Sequence, residues 1–317
     1  MIANSIFLND TFFMGRVFSY DEIEQGRVPN QGQFELARDL FCELSDNYVK
    51  QEIFSGAFIF GSVAVDLCGI RSDFDAIISL EDSVPTAISD AQYMIKHIKY
   101  ATKDSVPLGI EACTKESLQK GRNTASRFFG KHLTSPDRII IGVDPTTYWK
   151  FDQIKSAKDI FEEYLNHKRR RLSKTYISTE ACDISDGGLQ RLLELPVAIG
   201  RLAVNIAEET SELTVEQRQP LLRSVDKKSV ANRTRSLLQD NGMRTDYFDA
   251  LIEADETYNY TLHEALKNKI GRRSYDRELA VIQAYAPYAI DWIDDIQENF
   301  LPKLQNNLPQ TPETDQT

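Results

Sequence analysis

The stretch GAFIFGSVAVDLCGIRSDFDAIISL, residues 56–80, decides how the first half of this chain folds. Both of its ends, residues 56–60 and 76–80, are short apolar runs of the kind that form buried strands. The residues between them predict a tight turn, a short helix and a second turn. Gly61 allows the backbone to turn closely after the first strand, and Ser62 can stand at the N-terminus of the short helix.

The polar residues of this stretch have the chemistry of a phosphate and metal site. Free N–H groups at a helix that begins near Ser62 favour a phosphate, because they add to the positive end of the helix dipole. Asp73 and Asp75 are one residue apart, so on a strand their carboxylates point to the same face. Adjacent carboxylates repel each other unless a cation lies between them, and such oxygen ligands suit Mg²⁺. The combination predicts chemistry on a nucleoside triphosphate (NTP).

The remainder of the first half continues to alternate between helix and strand. Apolar runs predict further strands at residues 106–114 and 138–143. Apolar residues at helical spacing predict helices at residues 33–50, 88–100 and 115–130. This half is therefore expected to be a mixed α/β domain covering residues 1–150.

The second half has a different character. Its segments are long and amphipathic, and helix-breaking residues separate them, which predicts an all-α helical bundle. The predicted helices cover residues 154–165, 189–209, 221–238, 247–269 and 280–300. The overall fold class is therefore α+β, with the α/β domain followed by the helical bundle domain at residues 151–301 and a disordered tail at residues 302–317.

Composition limits the classes of function. The chain has 317 residues and a net charge of −11, with a pI of about 5.0, so a broad basic face for nucleic acid is not expected. The net charge does not exclude a local basic groove. The four cysteines form no C-x-x-C pair, so neither a zinc site nor a disulfide framework is indicated. With no signal-peptide pattern and no long apolar run, we expect a cytoplasmic protein that makes no membrane contact.

Gly61-Ser62 followed by Ser72-Asp73-Phe74-Asp75 resembles the signature of the nucleotidyltransferase superfamily, which has the DNA polymerase β-like fold. The resemblance is specific over residues 56–145 and implies a nucleotidyltransferase-type mixed sheet with flanking helices. The organisation of the chain is similar in particular to that of aminoglycoside and minimal nucleotidyltransferases with a helical C-terminal domain. The resemblance further implies two Mg²⁺ ions and an NTP substrate such as ATP, from which a nucleotide is transferred with release of pyrophosphate.

The resemblance also implies roles for individual residues. The family has a third carboxylate on a later strand, and Glu111 in the 106–114 strand is the candidate, either as a metal ligand or as the general base. Asp73 and Asp75 would be the other metal ligands and catalytic residues. Gly61 and Ser62 would hold the phosphates. Arg71 could assist them bidentately, or it could simply hold Asp73 in register.

The acceptor of the nucleotide is not specified by any motif. A small hydroxylated molecule is the first hypothesis, because the chain is acidic and resembles antibiotic-modifying enzymes. The alternative is a toxin-like or defence-type enzyme acting on tRNA or on protein. Its support is a basic run that could contact RNA, although such a run is also typical of a solvated helix end. The run consists of Lys168, Arg169, Arg170 and Arg171. A third reading is a catalytically silent nucleotide-binding module.

Overall fold

One mixed sheet organises the first half of the protein. The computed structural model describes residues 16–66, 68–119, 138–148, 157–177, 188–200 and 227–306. Its strands are β1 (Phe54–Phe60), β2 (Phe74–Leu80), β3 (Leu108–Thr114) and β4 (Ile139–Gly142). They pair in the order β3-β2-β1-β4, with β1 antiparallel to both β2 and β4, and with β2 parallel to β3. All four strands were predicted from their apolar runs.

Helices cover one face of this sheet. They are α2 (Gln31–Lys50) and α3 (Ala87–Ala101), and a shorter helix α1 (Tyr20–Glu24) precedes them. Asn30 starts α2 with a capping box, in which its side chain accepts from the Gln33 backbone N–H and the Gln33 side chain accepts from the Asn30 N–H. The helices bury their apolar residues against Ala57, Ile59, Ala76 and Ile78 of the sheet.

The opposite face of the sheet has a smaller apolar cluster. Phe58 and Phe60 of β1 pack there with Ile77 of β2 and Cys113 of β3. Leu118, on the short helix α4 (Lys115–Gln119), covers them. The alternation of side chains along each strand separates the two faces, and it places the carboxylates of β2 and β3 on this second face.

The second half is helical, as predicted. Its described helices are α5 (Ala157–Ile177), α6 (Gly188–Leu193), α7 (Lys227–Asp240), α8 (Asp246–Asn268), α9 (Arg272–Gln283), α10 (Ala286–Asp295) and α11 (Leu301–Asn306). Residues 195–200 are also helical, and a π-helical turn at Ile296–Phe300 joins α10 to α11. The predicted α+β class is therefore confirmed as a four-stranded mixed sheet with flanking helices and a helical C-terminal region.

The structure differs from the sequence-based expectation in several places, and the helix expected at 154–165 runs on to residue 177. Residues 62–66 form turns and no helix, and Asp66 has a φ of 55°, which a continuing right-handed helix cannot accommodate. The helix expected at 280–300 is divided, because α10 begins anew with Pro287 in its first turn. Residues 302–306, predicted to belong to a disordered tail, lie in α11. The predicted helix over 115–130 lies mostly outside the described residues.

A buried ion pair connects the two halves. Arg71, in the turn before β2, donates from Nη2 to Oδ1 of Asp255 on α8 at 2.7 Å, and both side chains are almost fully buried. The guanidinium also lies 4.5 Å from the ring centroid of Tyr258. The turn that leads into β2 is therefore fixed to the helical region.

An N-terminal segment strengthens the same junction. The backbone N–H of Arg16 donates to the carbonyl of Arg71, and Nε of Arg71 donates back to the carbonyl of Arg16. Phe18 is fully buried in the helical core, where its N–H donates to the hydroxyl of Tyr258 and its carbonyl accepts from the hydroxyl of Tyr275. The division at residue 150 stays a prediction, but residues 17 and 18 pack with the second half.

In the part of the chain that the structure describes, no helix is long and apolar enough to cross a bilayer.

Removing one partner of the buried pair should destabilise the fold strongly. We expect Asp255→Ala to lower the free energy of unfolding by about 3–5 kcal/mol, because it leaves the buried Arg71 charge without its carboxylate. Urea denaturation followed by circular dichroism measures this. The double variant Arg71→Met/Asp255→Leu should recover most of the loss, since an apolar pair needs no compensation.

The matched control removes a carboxylate from an exposed pair. Asp46 pairs with Lys50 one helical turn away, and both side chains are more than half exposed. Asp46→Ala should therefore cost only about 0.3–0.5 kcal/mol. A similarly small cost for Asp255→Ala would contradict the structural role of the buried pair.

Candidate functional site

Asp75 occupies a narrow space between two glycines. It stands in β2 opposite Phe60 of β1 and Gly109 of β3. A Cβ atom at Gly109 would come within 2.6 Å of its Oδ1, and a Cβ at Gly61 would come within 3.3 Å of its Oδ2. Gly61 also has a φ of +75°, which few other residues adopt. The two glycines therefore leave the room that the Asp75 carboxylate needs.

Glu111 lies on the same face of the sheet as Asp75. It is paired with Ile77, two residues further along β2, so the two carboxylates are diagonal neighbours on adjacent strands. Cys113, the next residue of β3 on this face, is buried, and burial together with the Glu111 charge raises the pKa of its thiol to about 12. Glu111 therefore shares this face of the sheet with Asp75, and its predicted role in catalysis or metal binding stays a prediction.

Asp73 is exposed at the entrance to β2. The buried Ser72 before it closes a tight turn, in which its Oγ accepts from the Gly69 N–H at 2.9 Å and its own N–H donates to the Gly69 carbonyl at 2.9 Å. Phe74, after it, donates its N–H to the carbonyl of Pro107 at 2.8 Å. Asp73 is therefore held by ordered backbone on both sides, although its side chain lies in solvent.

The three carboxylates were tested as a magnesium site. Among the described residues, no three histidine, cysteine or carboxylate side chains come together as a metal-binding group, so Asp73, Asp75 and Glu111 do not form a complete ligand set by themselves. Mg²⁺, however, is usually held by one or two carboxylates together with water and substrate phosphates. The oxygen donors of Asp73 and Asp75 fit that mode of binding.

The Gly61-Ser62 turn lacks the helix that the sequence predicted. The N–H of Ala64 donates to the Gly61 carbonyl at 3.2 Å, which closes a single turn, and Asp66 ends the turn with an ion pair to Arg38. Ser62 is half-buried beside it. A phosphate at this position would therefore meet the N–H groups of a turn rather than a helix dipole.

Arg71 has a different environment from the one expected for a phosphate ligand. Its guanidinium is bonded to Asp255 and to the Arg16 carbonyl, inside the junction between the two halves. Neither predicted role, phosphate binding or register with Asp73, is tested by these contacts. They give Arg71 a structural role that the sequence analysis did not consider.

The basic run lies on α5 and is partly used within the protein. Lys168 forms an ion pair with Glu194, and Arg169 donates to Asp294, with Nη2 and Oδ2 3.0 Å apart. Burial, with repulsion from Arg191 and Arg171, lowers the pKa of Lys168 to about 8. Arg170 and Arg171 are exposed. An RNA contact through this run stays a prediction, and two of its four cations are already engaged by carboxylates.

Comparison of the chain with protein-family models, with curated proteins and with solved structures gives no match. The functional interpretation therefore depends on the residues and their geometry.

Sequence reasoning missed two residues of the site and its support. Gly109 gave a usable signal, because a glycine inside a strand often marks a close approach of another group. Asp255 also gave one, since it stands on the apolar face of its helix between the buried Leu251 and Tyr258. A carboxylate in that position normally needs a buried partner.

The Cys113 thiol reports on the charge of Glu111. With its pKa raised from 9.0 to about 12, Cys113 should stay protonated at neutral and mildly alkaline pH and react very slowly with iodoacetamide. Glu111→Gln should lower that pKa and speed the reaction, because it removes the negative charge that disfavours the thiolate. The pH dependence of alkylation measures this in a chain whose other cysteines are serine.

The comparison variant is Glu116→Gln, which removes an exposed carboxylate from the neighbouring helix α4 and should leave the profile unchanged. If Cys113 titrated like an ordinary thiol, the burial of its side chain on the second face of the sheet would be contradicted.

Proposed function

We propose that this protein is a metal-dependent nucleotidyltransferase, which moves a nucleoside monophosphate from an NTP to a hydroxyl group and releases pyrophosphate. The observation that carries the proposal is that Asp75 and Glu111 lie on one face of the sheet. The exposed Asp73 stands two residues before Asp75. The glycines at 61 and 109 support the proposal, because a side chain at either position would crowd the Asp75 carboxylate.

In the proposed site each residue has a separate task. Asp73 and Asp75 would hold Mg²⁺, which when bound would neutralise charge on the phosphates and on the departing pyrophosphate. The backbone N–H groups of the Gly61-Ser62 turn would orient the terminal phosphates. Glu111 would act as the general base that takes the proton of the acceptor hydroxyl.

The proposed reaction is the transfer of a nucleoside monophosphate from the NTP to the acceptor hydroxyl. The acceptor hydroxyl oxygen bonds to the α-phosphorus of the NTP, and its proton passes to a carboxylate oxygen of Glu111. The bond between the α-phosphorus and the oxygen bridging to the β-phosphorus breaks, and the electron pair leaves with pyrophosphate. No oxidant or reductant is needed.

Transfer of label from α-³²P-labelled NTPs tests the proposal. Purified protein with Mg²⁺ should label one acceptor class among small polyols, aminoglycosides and total tRNA. Asp73→Ala/Asp75→Ala should reduce transfer by at least about 100-fold, since it removes the groups that hold the charge-neutralising ion.

The control Asp39→Ala/Asp82→Ala removes two exposed carboxylates from the same half of the chain and should keep full activity. Absence of transfer with every NTP, together with absence of Mg²⁺-dependent NTP binding by calorimetry, would falsify the enzymatic reading and favour a binding module.

Gly109→Ala tests the space beside Asp75 without removing a carboxylate. The new methyl group would lie 2.6 Å from Oδ1 of Asp75 and would force that carboxylate to rotate. We expect transfer to fall by about 100-fold, because misplacement by about 1 Å is enough for such a loss. The free energy of unfolding should change by less than about 1 kcal/mol, as the displaced atom is the end of a side chain.

Gly271→Ala is the matched control, because a Cβ at that position meets no atom within 4 Å. Equal activity of both alanine variants would show that the position of the Asp75 carboxylate does not matter for transfer.

A further inference from the structure

A basic depression lies at the C-terminal end of α3. It has a volume of about 710 Å³ and is open to solvent. Its lining consists of Lys96, Lys99, Tyr100, Ala101, Lys103 and Asp104. Tyr100 is 87% exposed, and Tyr93, two helical turns earlier on the same side of α3, is 66% exposed. The two tyrosines therefore present aromatic rings to solvent on the same side of the helix as the depression.

The positive charge of this depression is available to a ligand. Within the described part of the chain, Lys96, Lys99 and Lys103 form no ion pair. By contrast, Lys168 and Arg169 of the basic run are bonded to carboxylates. The whole chain has a net charge of −11, so a group of three unpaired lysines is a local departure from the general charge.

The backbone holds the depression in a fixed shape. Lys103 and Asp104 both have a φ of 55°, a left-handed conformation that residues other than glycine seldom adopt. The Asp104 N–H donates to the Lys99 carbonyl at 2.7 Å, and Gln33 of α2 donates to the Thr102 carbonyl at 3.2 Å. A preformed surface loses little conformational entropy when it binds a ligand.

A loop connects the depression to the edge of the sheet where β2 and β3 begin. In this loop the carbonyl of Pro107 accepts from the N–H of Phe74 at 2.8 Å.

We propose that this surface of α3 binds single-stranded RNA. The three lysines would contact successive phosphates, and Tyr100 and Tyr93 would stack on unpaired bases, which is the common arrangement for single-stranded nucleic acids. Asp104 repels a phosphate but can accept a hydrogen bond from a ribose 2′-hydroxyl, and that group distinguishes RNA from DNA. The binding needs no nucleotide or metal, so it goes beyond the proposed transfer reaction and does not depend on it.

Fluorescence anisotropy with a labelled oligouridine of about 12 nucleotides tests this proposal. Without NTP or Mg²⁺, the full chain should bind the RNA more tightly than DNA of the corresponding sequence. The variant Lys96→Gln/Lys99→Gln/Lys103→Gln should weaken binding by about tenfold or more. It should also lower the slope of log affinity against log salt by about 2, as expected for three lost contacts with a single strand.

Two control variants separate this surface from general effects. Lys267→Gln/Arg273→Gln/Arg277→Gln removes the same charge from exposed positions of the helical region and should retain binding. Tyr100→Ala should weaken binding about tenfold through the lost stacking. Tyr260→Ala, which removes a tyrosine that is 69% exposed on α8, should not.

Three outcomes would overturn the proposal. They are equal loss in both charge variants, equal affinity for RNA and DNA, and equal affinity for an oligoglutamate of matched charge. The transfer assay is separate: RNA binding without nucleotide transfer would support this surface and count against the proposed enzyme. Transfer to a small polyol without RNA binding would support the proposed enzyme and count against RNA binding at this surface.

Discussion

The buried ion pair between Arg71 and Asp255 is the constraint on which the rest of the arrangement depends. Arg71 stands two residues before Asp73, so the entrance to β2 cannot move without disturbing the helical region. Two hydrogen bonds between Arg16 and Arg71, one from the Arg16 N–H and one from the Arg71 Nε, hold the same turn. A buried charge pair is a costly way to join two packed regions, because both groups lose their hydration. Its geometric effect is to fix where the carboxylates of β2 begin.

The second face of the sheet combines carboxylates with an apolar surface. Asp75 and Glu111 share it with Phe58, Phe60 and Ile77, and the same surroundings keep the Cys113 thiol protonated. The pairing of β2 with β3 fixes the positions of the two carboxylates relative to each other.

The sequence predicted the elements of this fold better than their connections. Short apolar runs identified β1 to β4, since such runs bounded by turn residues are typical of strands. The helix expected after Ser62 was wrong, because the left-handed residue Asp66 ends the turn and no local pattern announces that conformation. The partner of Arg71 could not be read from its neighbours, as Asp255 lies 184 residues away. Pairing of this kind is decided by tertiary packing. For the site, strand alternation predicted Asp73 and Asp75 on one face, but β2 begins at Phe74, so Asp73 lies just outside the strand. The position of Glu111 beside β2 depends on the register between two strands, which cannot be read from the sequence.

The distribution of basic residues matters more than their total. In an acidic chain, several cations are consumed by the fold itself: Arg71 joins the two halves, and Lys168 and Arg169 bind carboxylates of the helical region. The basic run that is most conspicuous in the sequence is thereby partly neutralised. Lys96, Lys99 and Lys103 are separated in the sequence, yet they line one depression together with the exposed Tyr100. Net charge controls the long-range attraction of a polyanion, but contact depends on such local groups, where screening leaves only charges within about 10 Å effective. An acidic protein can therefore present a phosphate-binding surface where several lysines lie together and form no ion pairs.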